Sequence, residues 1–392
     1  MKKILVVSEV FWPEIFLIND LVCQLKEKGY KVDILTQHPS YPYGRVYDGY
    51  ENNDYSIEEW DGSTIYRFKV IEGYKESSLK KLLNYFYFAY KGKKIVCSLS
   101  TKYDVVLVSQ TGPLTVTLPG ISYARKFGVK LFVWSLDIWP DAVYSYGFKK
   151  NIVLDCFLNR FISYVYSSCD KIFVSSKQFI NSLKPYAKDK DFYYMPNWMS
   201  ISEDVQSSIR LDGSKFNITF TGNVSLYQNL SNVVRGFKLA DINNCILNIV
   251  GDGSDIDNLK MIVEQEKINN VVFHGRHPAN EMHDVLTQSD ALLLSLISDE
   301  GIQKTEPLKL QSYLRSGKPI LGVIGGSGRE IIEKYNLGLC AHPDDIAEIA
   351  TTFTEIIAFS KTNQDSVANN ANNLMNTRFN RESIFNNFVK HL

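Results

Sequence analysis

Short apolar runs alternate with amphipathic stretches along almost the whole chain of 392 residues, and this alternation constrains the fold most. Helical patterns separate most of the apolar runs, and one of them, at 16–29, ends at Gly29. In the first half we predict strands at 3–7, 31–36, 64–70, 104–110, 130–136 and 171–176. Strands that alternate with helices in this way predict a doubly wound parallel sheet.

The second half repeats the scheme after a polar stretch at 195–208 that contains Pro196 and Asn197. Its predicted strands are 217–222, 245–251, 271–275, 291–296 and 319–325. We therefore predict an α/β protein with two Rossmann-like domains, 1–197 and 198–379, that face each other across a cleft. A helical pattern within 380–392 is expected to return to the first domain. In such sheets ligands bind beyond the carboxyl ends of the strands.

Composition excludes several classes of protein. Lys plus Arg and Asp plus Glu both number 43, and this balance argues against a general nucleic-acid coat. The six cysteines are scattered singly, so neither a zinc knuckle nor a disulfide framework is expected. The Asp-x-Asp patterns at 189–191 and 255–257 lie in polar stretches typical of helix starts or loops, and we expect no metal. We predict no membrane span and no signal peptide, and expect a cytoplasmic protein.

The stretch TEPLKLQSYLRSGKPILGVIGGSG predicts two helix starts close together. Thr305 or Glu306 is expected to cap a helix that has Pro307 at its first position, where a missing N–H costs nothing. Gly317 is expected to end this helix, and a strand follows. The glycines within 325–328 then begin the second helix.

These helix starts suggest a binding site for an anion. Lys304 and Lys309 bracket the first start, and a third glycine turn, 221–223, follows another predicted strand. Unpaired N–H groups and a positive dipole end at each start suit a diphosphate. The alternative is that all three are ordinary strand-to-helix turns.

Several motifs resemble the GT-B glycosyltransferases of family 4, in the branch that builds bacterial O-antigen, capsule and colanic acid. The resemblance covers almost the whole chain. It is carried by KILVVSEVFWPE, SLDIWPDAVYSYG, SSKQFINSL, MPNW, FTGNVSLYQNL, NIVGDGSDIDNL and KTEPLKLQSYLRSGKPIL. It implies transfer of a sugar from a nucleotide-diphosphate donor, with retention and without a bound metal or other cofactor. UDP-sugars are the favoured donor class, and GDP-sugars come second.

The resemblance also implies that 1–197 is the acceptor-binding domain and 198–379 the nucleotide-sugar-binding domain, and it implies roles for particular residues. Lys304 and Lys309 would neutralise the diphosphate as it leaves, and Asp137 would act on the reacting sugar or the acceptor hydroxyl. Donor contacts are implied at Gly222, Asn223, Arg276, Thr305, Gly325, Gly326, Ser327 and Glu330. The backbone N–H groups of Gly222 and Asn223 would reach the diphosphate, and Arg276 would lie near the base.

The chain departs from the family pattern in two places. Many members carry a Glu-x7-Glu pair around the helix of the opening stretch, and here Lys304 and Ser312 stand at those positions. An Arg and a Lys common in the glycine turn are Asn223 and Gln228 here. The positive charge at the donor is therefore expected to come from Lys304 and Lys309.

Two segments suit an acceptor and a membrane surface. The segment 74–94 mixes six lysines with leucines and aromatic residues, which suits either a lipid headgroup interface or a helix that packs on the sheet with a solvated lysine face. The tyrosine-rich loop 38–50 suits stacking against an acceptor sugar or a rigid surface loop. The candidate acceptor contacts are Trp12, Tyr41, Tyr43 and Trp139. Because this branch often uses polyprenyl-diphosphate-linked acceptors, we expect a lipid-linked or oligosaccharide acceptor and peripheral contact with the inner face of the cytoplasmic membrane.

Two rival functions stay open at this point. One is a GT-B nucleotide-sugar 2-epimerase, which would need no lipid acceptor. The other is a non-enzymatic binding protein of two domains.

Overall fold

The computed structural model describes residues 1–145, 151–199 and 203–392, and they form two compact units. Unit 1 comprises Met1–Met195 and Phe385–Leu392, and unit 2 comprises Pro196–Ile384. Two stretches from the sequence analysis extend beyond the described residues. Residues 146 and 147 of the motif 135–147 lie outside them, and so do residues 200–202 of the boundary stretch 195–208.

Unit 1 is built on an eight-stranded sheet in the order β3-β4-β2-β1-β5-β6-β7-β8. Its strands are β1 Lys3–Ser8, β2 Lys31–Gln37, β3 Ser56–Trp60, β4 Ser63–Phe68, β5 Val105–Gln110, β6 Lys130–Ser135, β7 Lys171–Val174 and β8 Phe192–Tyr194. Neighbouring strands are parallel except β3 and β4. The winding reverses between β1 and β5, because β1 continues to β2 on one side while β5 continues to β6 on the other.

The helices of unit 1 cover a sheet that is apolar on both faces. They are α1 Leu17–Glu27, α2 Ser78–Ser98, α3 Thr117–Phe127, α4 Asp141–Ser145, α5 Ile152–Ser167 and α6 Lys177–Leu183. In the core, Leu5 and Val108 of the central strands pack with Phe88 of α2 and Ile121 of α3. Each of these side chains is at most 1% exposed, so burial of apolar surface holds the layers together.

The last helix of the chain, α14 Arg381–Val389, enters unit 1 at Phe385. The ring of Phe388 meets Phe173 of β7 edge-on, with centroids 5.0 Å apart. Lys171 Nζ donates to the backbone oxygen of His391 at 3.0 Å. The end of the chain therefore completes the core beside β7.

Unit 2 has a six-stranded parallel sheet in the order β11-β10-β9-β12-β13-β14. Its strands are β9 Phe216–Thr221, β10 Cys245–Val250, β11 Val271–Gly275, β12 Ala291–Ser295, β13 Ile320–Val323 and β14 Gly338–Ala341. Its helices are α7 Leu230–Ala240, α8 Ile256–Gln265, α9 Met282–Gln288, α10 Glu300–Gln303, α11 Leu308–Ser316, α12 Gly326–Lys334 and α13 Ile346–Thr377. Counted within the unit, this is the order 3-2-1-4-5-6 of dinucleotide-binding sheets, with its switch point between β9 and β12.

The two parallel α/β units confirm the predicted fold class. The predicted cap of α11 is wrong. The helix begins at Leu308 after Pro307, and no side chain caps it. Thr305 Oγ1 donates instead to the oxygen of Ile302 at 2.6 Å. Glu306 accepts a hydrogen bond from Arg378 at 2.7 Å, so both candidate caps serve other contacts.

Candidate functional site

Two glycine turns at the carboxyl end of the unit 2 sheet lie backbone against backbone. Gly222 follows β9 with φ +121°, and Gly251 follows β10 with φ +150°. A Cβ on Gly251 would stand 1.8 Å from the oxygen of Gly222, and one on Gly253 would stand 2.1 Å from the oxygen of Val224. Side chains at these positions would force the turns apart, so glycine is required.

Lys309 of α11 lies across the first of these turns. A Cβ on Gly222 would stand 2.7 Å from Lys309 Cε. The Lys309 ammonium group lies 3.9 Å from the centroid of the Phe220 ring and donates to Gln228 Oε1 at 2.5 Å. Burial lowers the pKa of Lys309 to about 7 because the charged form is poorly solvated. The missing side chain at Gly222 is what allows this cation to reach the switch point.

Tyr313 fixes the helix that carries Lys309. Its hydroxyl donates to the oxygen of Leu293 in β12 at 3.0 Å and accepts from the N–H of Thr221 at 3.3 Å. The ring is fully buried. One residue therefore ties α11 to both strands that flank the switch point.

The loops after β12 and β13 also pack together. Ser327 Oγ donates to the oxygen of Lys304 at 3.1 Å, and Lys304 Nζ forms an ion pair with Glu300 at 3.0 Å. A Cβ on Gly326 would stand 2.1 Å from the oxygen of Gln303. The glycine turn that begins α12 therefore lets the Lys304 segment lie against the first turn of that helix.

The predicted donor residues all lie at the carboxyl end of the unit 2 sheet. Gly222 and Asn223 follow β9, Lys304 and Thr305 follow β12, and the 325–327 turn follows β13. Farther out, Arg276 is exposed after the edge strand β11, and Glu330 is exposed on α12. The structure thus places the Lys309 side chain against Gly222 and the Lys304 backbone against Ser327.

The backbone N–H of Gly222 is not available for the predicted contact with a diphosphate. The N–H of Gly222 donates to the oxygen of Val250 at 2.9 Å, because the pairing of β9 with β10 continues by one residue into the turn. The N–H of Val224 donates to Asp252 at 2.9 Å. These two groups hold the turns together, so the first turn of α12 is the better source of N–H groups for an anion.

In unit 1, Asp137 follows β6 and is half-buried. Burial lowers the pKa of Lys81 and raises that of Tyr166, and the charge of Asp137 acts to raise both, so Asp137 lies near both groups. Trp139 is 9% exposed and packs against Phe161 with ring centroids 6.2 Å apart, as part of the core.

The other predicted acceptor residues are more open to solvent. Trp12 is 41% exposed, Tyr41 is 44% exposed and Tyr43 is 66% exposed. The ring of Tyr41 meets that of Phe16 edge-on, with ring centroids 5.3 Å apart.

Tyr41 also borders a cavity of about 300 Å³ in unit 1 that the sequence interpretation did not foresee. Glu9, the residue directly after β1, lines it together with Gln37, Lys81, Asn84 and Gly112. A carboxylate immediately after the first strand was the available signal. Its importance emerges only when the loops after β1 and β5 and helix α2 converge.

Across 1–145, 151–199 and 203–392, no cluster of three or more His, Cys, Asp and Glu side chains could hold a metal ion. In the same ranges, each helix is too short or too polar to cross a membrane.

The family model of glycosyl transferases group 1 matches residues 202–373. The chain is similar to the probable glycosyltransferase WbjE of Pseudomonas aeruginosa, with 27% identity over 74% of this chain and 75% of that protein. It is also similar to the putative colanic acid biosynthesis glycosyl transferase WcaI of Escherichia coli K12, with 21% identity over 92% of this chain and 93% of that protein. Among solved structures it resembles Anabaena HepE in complex with UDP, with a TM-score of 0.67 and 13% identity over 100% of this chain and 99% of that one.

Proposed function

Because this chain is a glycosyltransferase with the GT-B fold and a group 1 domain in its C-terminal half, we propose that it is a retaining enzyme that uses a nucleotide-diphosphate sugar. UDP-sugars are the proposed donors and GDP-sugars the second choice. The UDP bound to the structurally similar HepE supports the first choice. The proposed acceptor is a lipid-linked glycan or an oligosaccharide of bacterial surface polysaccharide, such as O-antigen or capsule.

The observation that carries the donor proposal is the position of Lys309 at the switch point of unit 2. Sugar transfer leaves negative charge on the departing diphosphate, and a cation held in place before the reaction lowers that barrier. The depressed pKa of Lys309 indicates an ammonium group that lacks a compensating anion. A diphosphate on the turn at Gly222 would supply one, and Lys304 is the second proposed cation.

Neighbouring residues complete the proposed donor site. The first turn of α12, which begins at Gly326 directly after Gly325, would donate N–H groups to the diphosphate. Ser327 and Glu330 would border the sugar or phosphate. Arg276 would lie near the base, and Asn223 and Thr305 would border the phosphates. Because Lys304 and Lys309 supply the positive charge, we propose transfer without a metal.

The acceptor side of the proposal rests on unit 1. Asp137 at the end of β6 is a proposed contact of the reacting sugar or the acceptor hydroxyl. Trp12, Tyr41, Tyr43 and Trp139 remain proposed acceptor contacts, and the exposure of the first three is compatible with that role.

We further propose that the outer face of α2 contacts the inner face of the cytoplasmic membrane. The exposed apolar residues of this helix recur at helical spacing, at Leu79, Leu82, Leu83, Phe86 and Tyr90. Exposed lysines stand beside them, at Lys80, Lys93 and Lys94. Apolar side chains flanked by lysines suit an anionic bilayer surface.

Calorimetric titration with UDP, GDP, dTDP and CMP, each with and without magnesium, tests the donor proposal. We expect UDP to bind the wild type without magnesium. Lys309→Ala should weaken that binding by about 10- to 150-fold, since charged hydrogen bonds contribute about 1.5–3 kcal/mol, and turnover should collapse.

Lys334→Ala is the matched control, because Lys334 is an exposed lysine at the far end of α12. It should bind UDP like the wild type. The donor proposal fails if no diphosphate binds, or if the two alanine variants bind UDP equally well. The anomeric configuration of the product, read by NMR, tests retention separately.

A further inference from the structure

The cavity of unit 1 lies at the switch point of its sheet. Glu9 directly follows β1, and Thr111, Gly112 and Pro113 follow the neighbouring strand β5. Gln37 ends β2 on the other side of β1. Small ligands of open α/β sheets bind at this place, beyond the carboxyl ends of the strands.

Glu9 contributes a carboxylate to the lining of this cavity. Its Oε1 accepts a long hydrogen bond of 3.4 Å from Asn84 Nδ2. The same Asn84 Nδ2 donates to Gln37 Oε1 at 3.0 Å, and Asn84 Oδ1 accepts from Gln37 Nε2 at 2.9 Å and from the N–H of Ile71 at 2.9 Å. Asn84 is thus held by its neighbours and cannot turn further toward Glu9.

The other oxygen of Glu9 faces the side of the cavity formed by Gly112. A Cβ on Gly112 would stand 3.7 Å from Glu9 Oε2, which is an ordinary contact distance. The absence of a side chain there leaves room for a ligand atom beside the carboxylate.

Burial and nearby charges bring the pKa of Glu9 close to neutral pH. Burial and the carboxylate of Glu14 on the β1–α1 loop raise the pKa of Glu9 to about 7, against the opposing effects of Lys81 of α2 and the hydrogen bond from Asn84. Glu14 accepts from the N–H groups of Ser40 at 2.8 Å and Tyr41 at 2.6 Å, so its carboxylate is engaged by the backbone. Lys75, Tyr41, Tyr74 and Tyr85 are the other titratable residues of the lining.

The walls combine flat apolar rings with polar groups. Phe16 and Tyr41 stand together, Lys75 Nζ lies 4.4 Å from the Tyr41 ring centroid, and the hydroxyls of Ser40 and Tyr74 lie 3.3 Å apart. Rings with a polar edge beside amides and a carboxylate suit a ligand that has both C–H faces and hydroxyl groups. A cavity of about 300 Å³ has room for a single sugar ring.

We propose that this cavity binds one sugar residue of the acceptor, and that the Glu9 carboxylate accepts a hydrogen bond from a hydroxyl of that sugar. The proposal rests on the proposed function, and it names Glu9 as a residue that determines acceptor binding. Hydrogen bonds to an ionised acceptor are roughly twice as strong as neutral ones. Binding should therefore strengthen as the pH rises through the pKa of Glu9, because the carboxylate forms there.

The experiment measures binding of free sugars to the full chain by saturation-transfer NMR. The probes are the methyl glycosides of glucose, galactose, mannose and N-acetylglucosamine. We expect at least one to bind the wild type, and its affinity to fall about tenfold in Glu9→Gln, which keeps the size and one oxygen of the side chain. The affinity of the wild type should increase as the pH rises through about 7, and the affinity of Glu9→Gln should not change with pH over the same range.

Two further variants separate binding from folding. Gly112→Ala fills the space beside Glu9 Oε2 without straining the backbone and should also weaken glycoside binding. Glu76→Gln makes the same chemical change as Glu9→Gln at an exposed position next to the cavity-lining residues Tyr74 and Lys75, and it should bind like the wild type.

The proposal is overturned if none of the four glycosides binds the wild type, or if Glu9→Gln and Glu76→Gln bind equally well. UDP titrations of the same variants keep this result apart from the donor proposal. The proposed UDP site is formed by residues of unit 2, so Glu9→Gln, Gly112→Ala and Glu76→Gln should all bind UDP with the wild-type affinity.

Discussion

Lys309 is a charged residue in a place that does not favour its charge. Its neighbours are the Phe220 ring and the amide oxygen of Gln228, and burial lowers its pKa to about 7. Between about pH 7 and the ordinary lysine value, the unfolded chain holds a proton that the folded chain has lost. Stability therefore rises with pH across that window, and the full cost of the buried charge is present below it.

Replacing this lysine by a neutral side chain of similar length should stabilise the protein. For Lys309→Met we expect the free energy of unfolding to increase by about 1–3 kcal/mol near pH 6, since one pKa unit corresponds to about 1.4 kcal/mol. The gain should shrink toward about pH 10. Urea unfolding at both pH values measures it, with Lys334→Met as the exposed control. An unchanged or lower stability near pH 6 would show that the site compensates the charge of Lys309.

At the same scale, Lys309 and Glu9 differ in how readily the sequence identifies them. Lys309 lies within a motif that bears a family resemblance, so its place near the donor could be predicted. Its burial could not, because that depends on Gly222 and Phe220 of a strand far away in the chain. Glu9 has no motif of its own, and its surroundings come from three separate segments that only the fold brings together.

Among the elements, α2 has two apolar faces. Its inner face includes Phe88, Ile95 and Val96, which are buried in the core of unit 1. Its outer face presents Leu83 and Phe86, which are 48% and 54% exposed. A helix that only packs on a sheet needs one apolar stripe, so the second stripe calls for a partner.

Vesicle sedimentation tests whether that partner is a bilayer. Vesicles that contain phosphatidylglycerol should bind the wild type, and the double variant Leu83→Ser with Phe86→Ser should bind about 100-fold less or weaker, because each of the two apolar side chains contributes roughly 1.5–3 kcal/mol when fully buried. Leu239→Ser, on an exposed leucine of α7, should have no effect. If the wild type stays in the supernatant, α2 does not contact the membrane.

Strands and helices could be predicted where their pattern is long and regular. The central strands of both sheets fall within a residue or two of the predicted bounds, because buried parallel strands are continuous apolar runs. The edge strand β3 was missed, since two of its five residues are exposed and none is buried. β8 has three residues and β14 has four, and such short runs carry little pattern of their own.

At the scale of the whole molecule, the chain starts unit 1, passes through all of unit 2 and then returns. The returning segment is short but well buried, since Phe388 is 1% exposed against Phe173. Its loss should therefore affect unit 1 and leave unit 2 unchanged.

Calorimetric unfolding with and without UDP tests this division. If the units unfold separately, UDP should raise the transition of unit 2 and so identify it. Phe388→Ala should destabilise the other transition by about 3 kcal/mol, as core phenylalanines typically do. Asn387→Ala, at an exposed position of the same helix, is the control. A shift of the UDP-sensitive transition in Phe388→Ala would mean that α14 supports unit 2 instead.

The path of the chain also sets an order for folding during synthesis. A ribosome completes unit 2, a continuous segment, before it has made the residues that unit 1 still lacks. The nascent unit 1 therefore keeps the Phe173 side of its sheet uncovered until the last residues of the chain have been made. Domains of multidomain chains generally fold first from the N-terminal side, and here the connectivity places the completion of the N-terminal unit last.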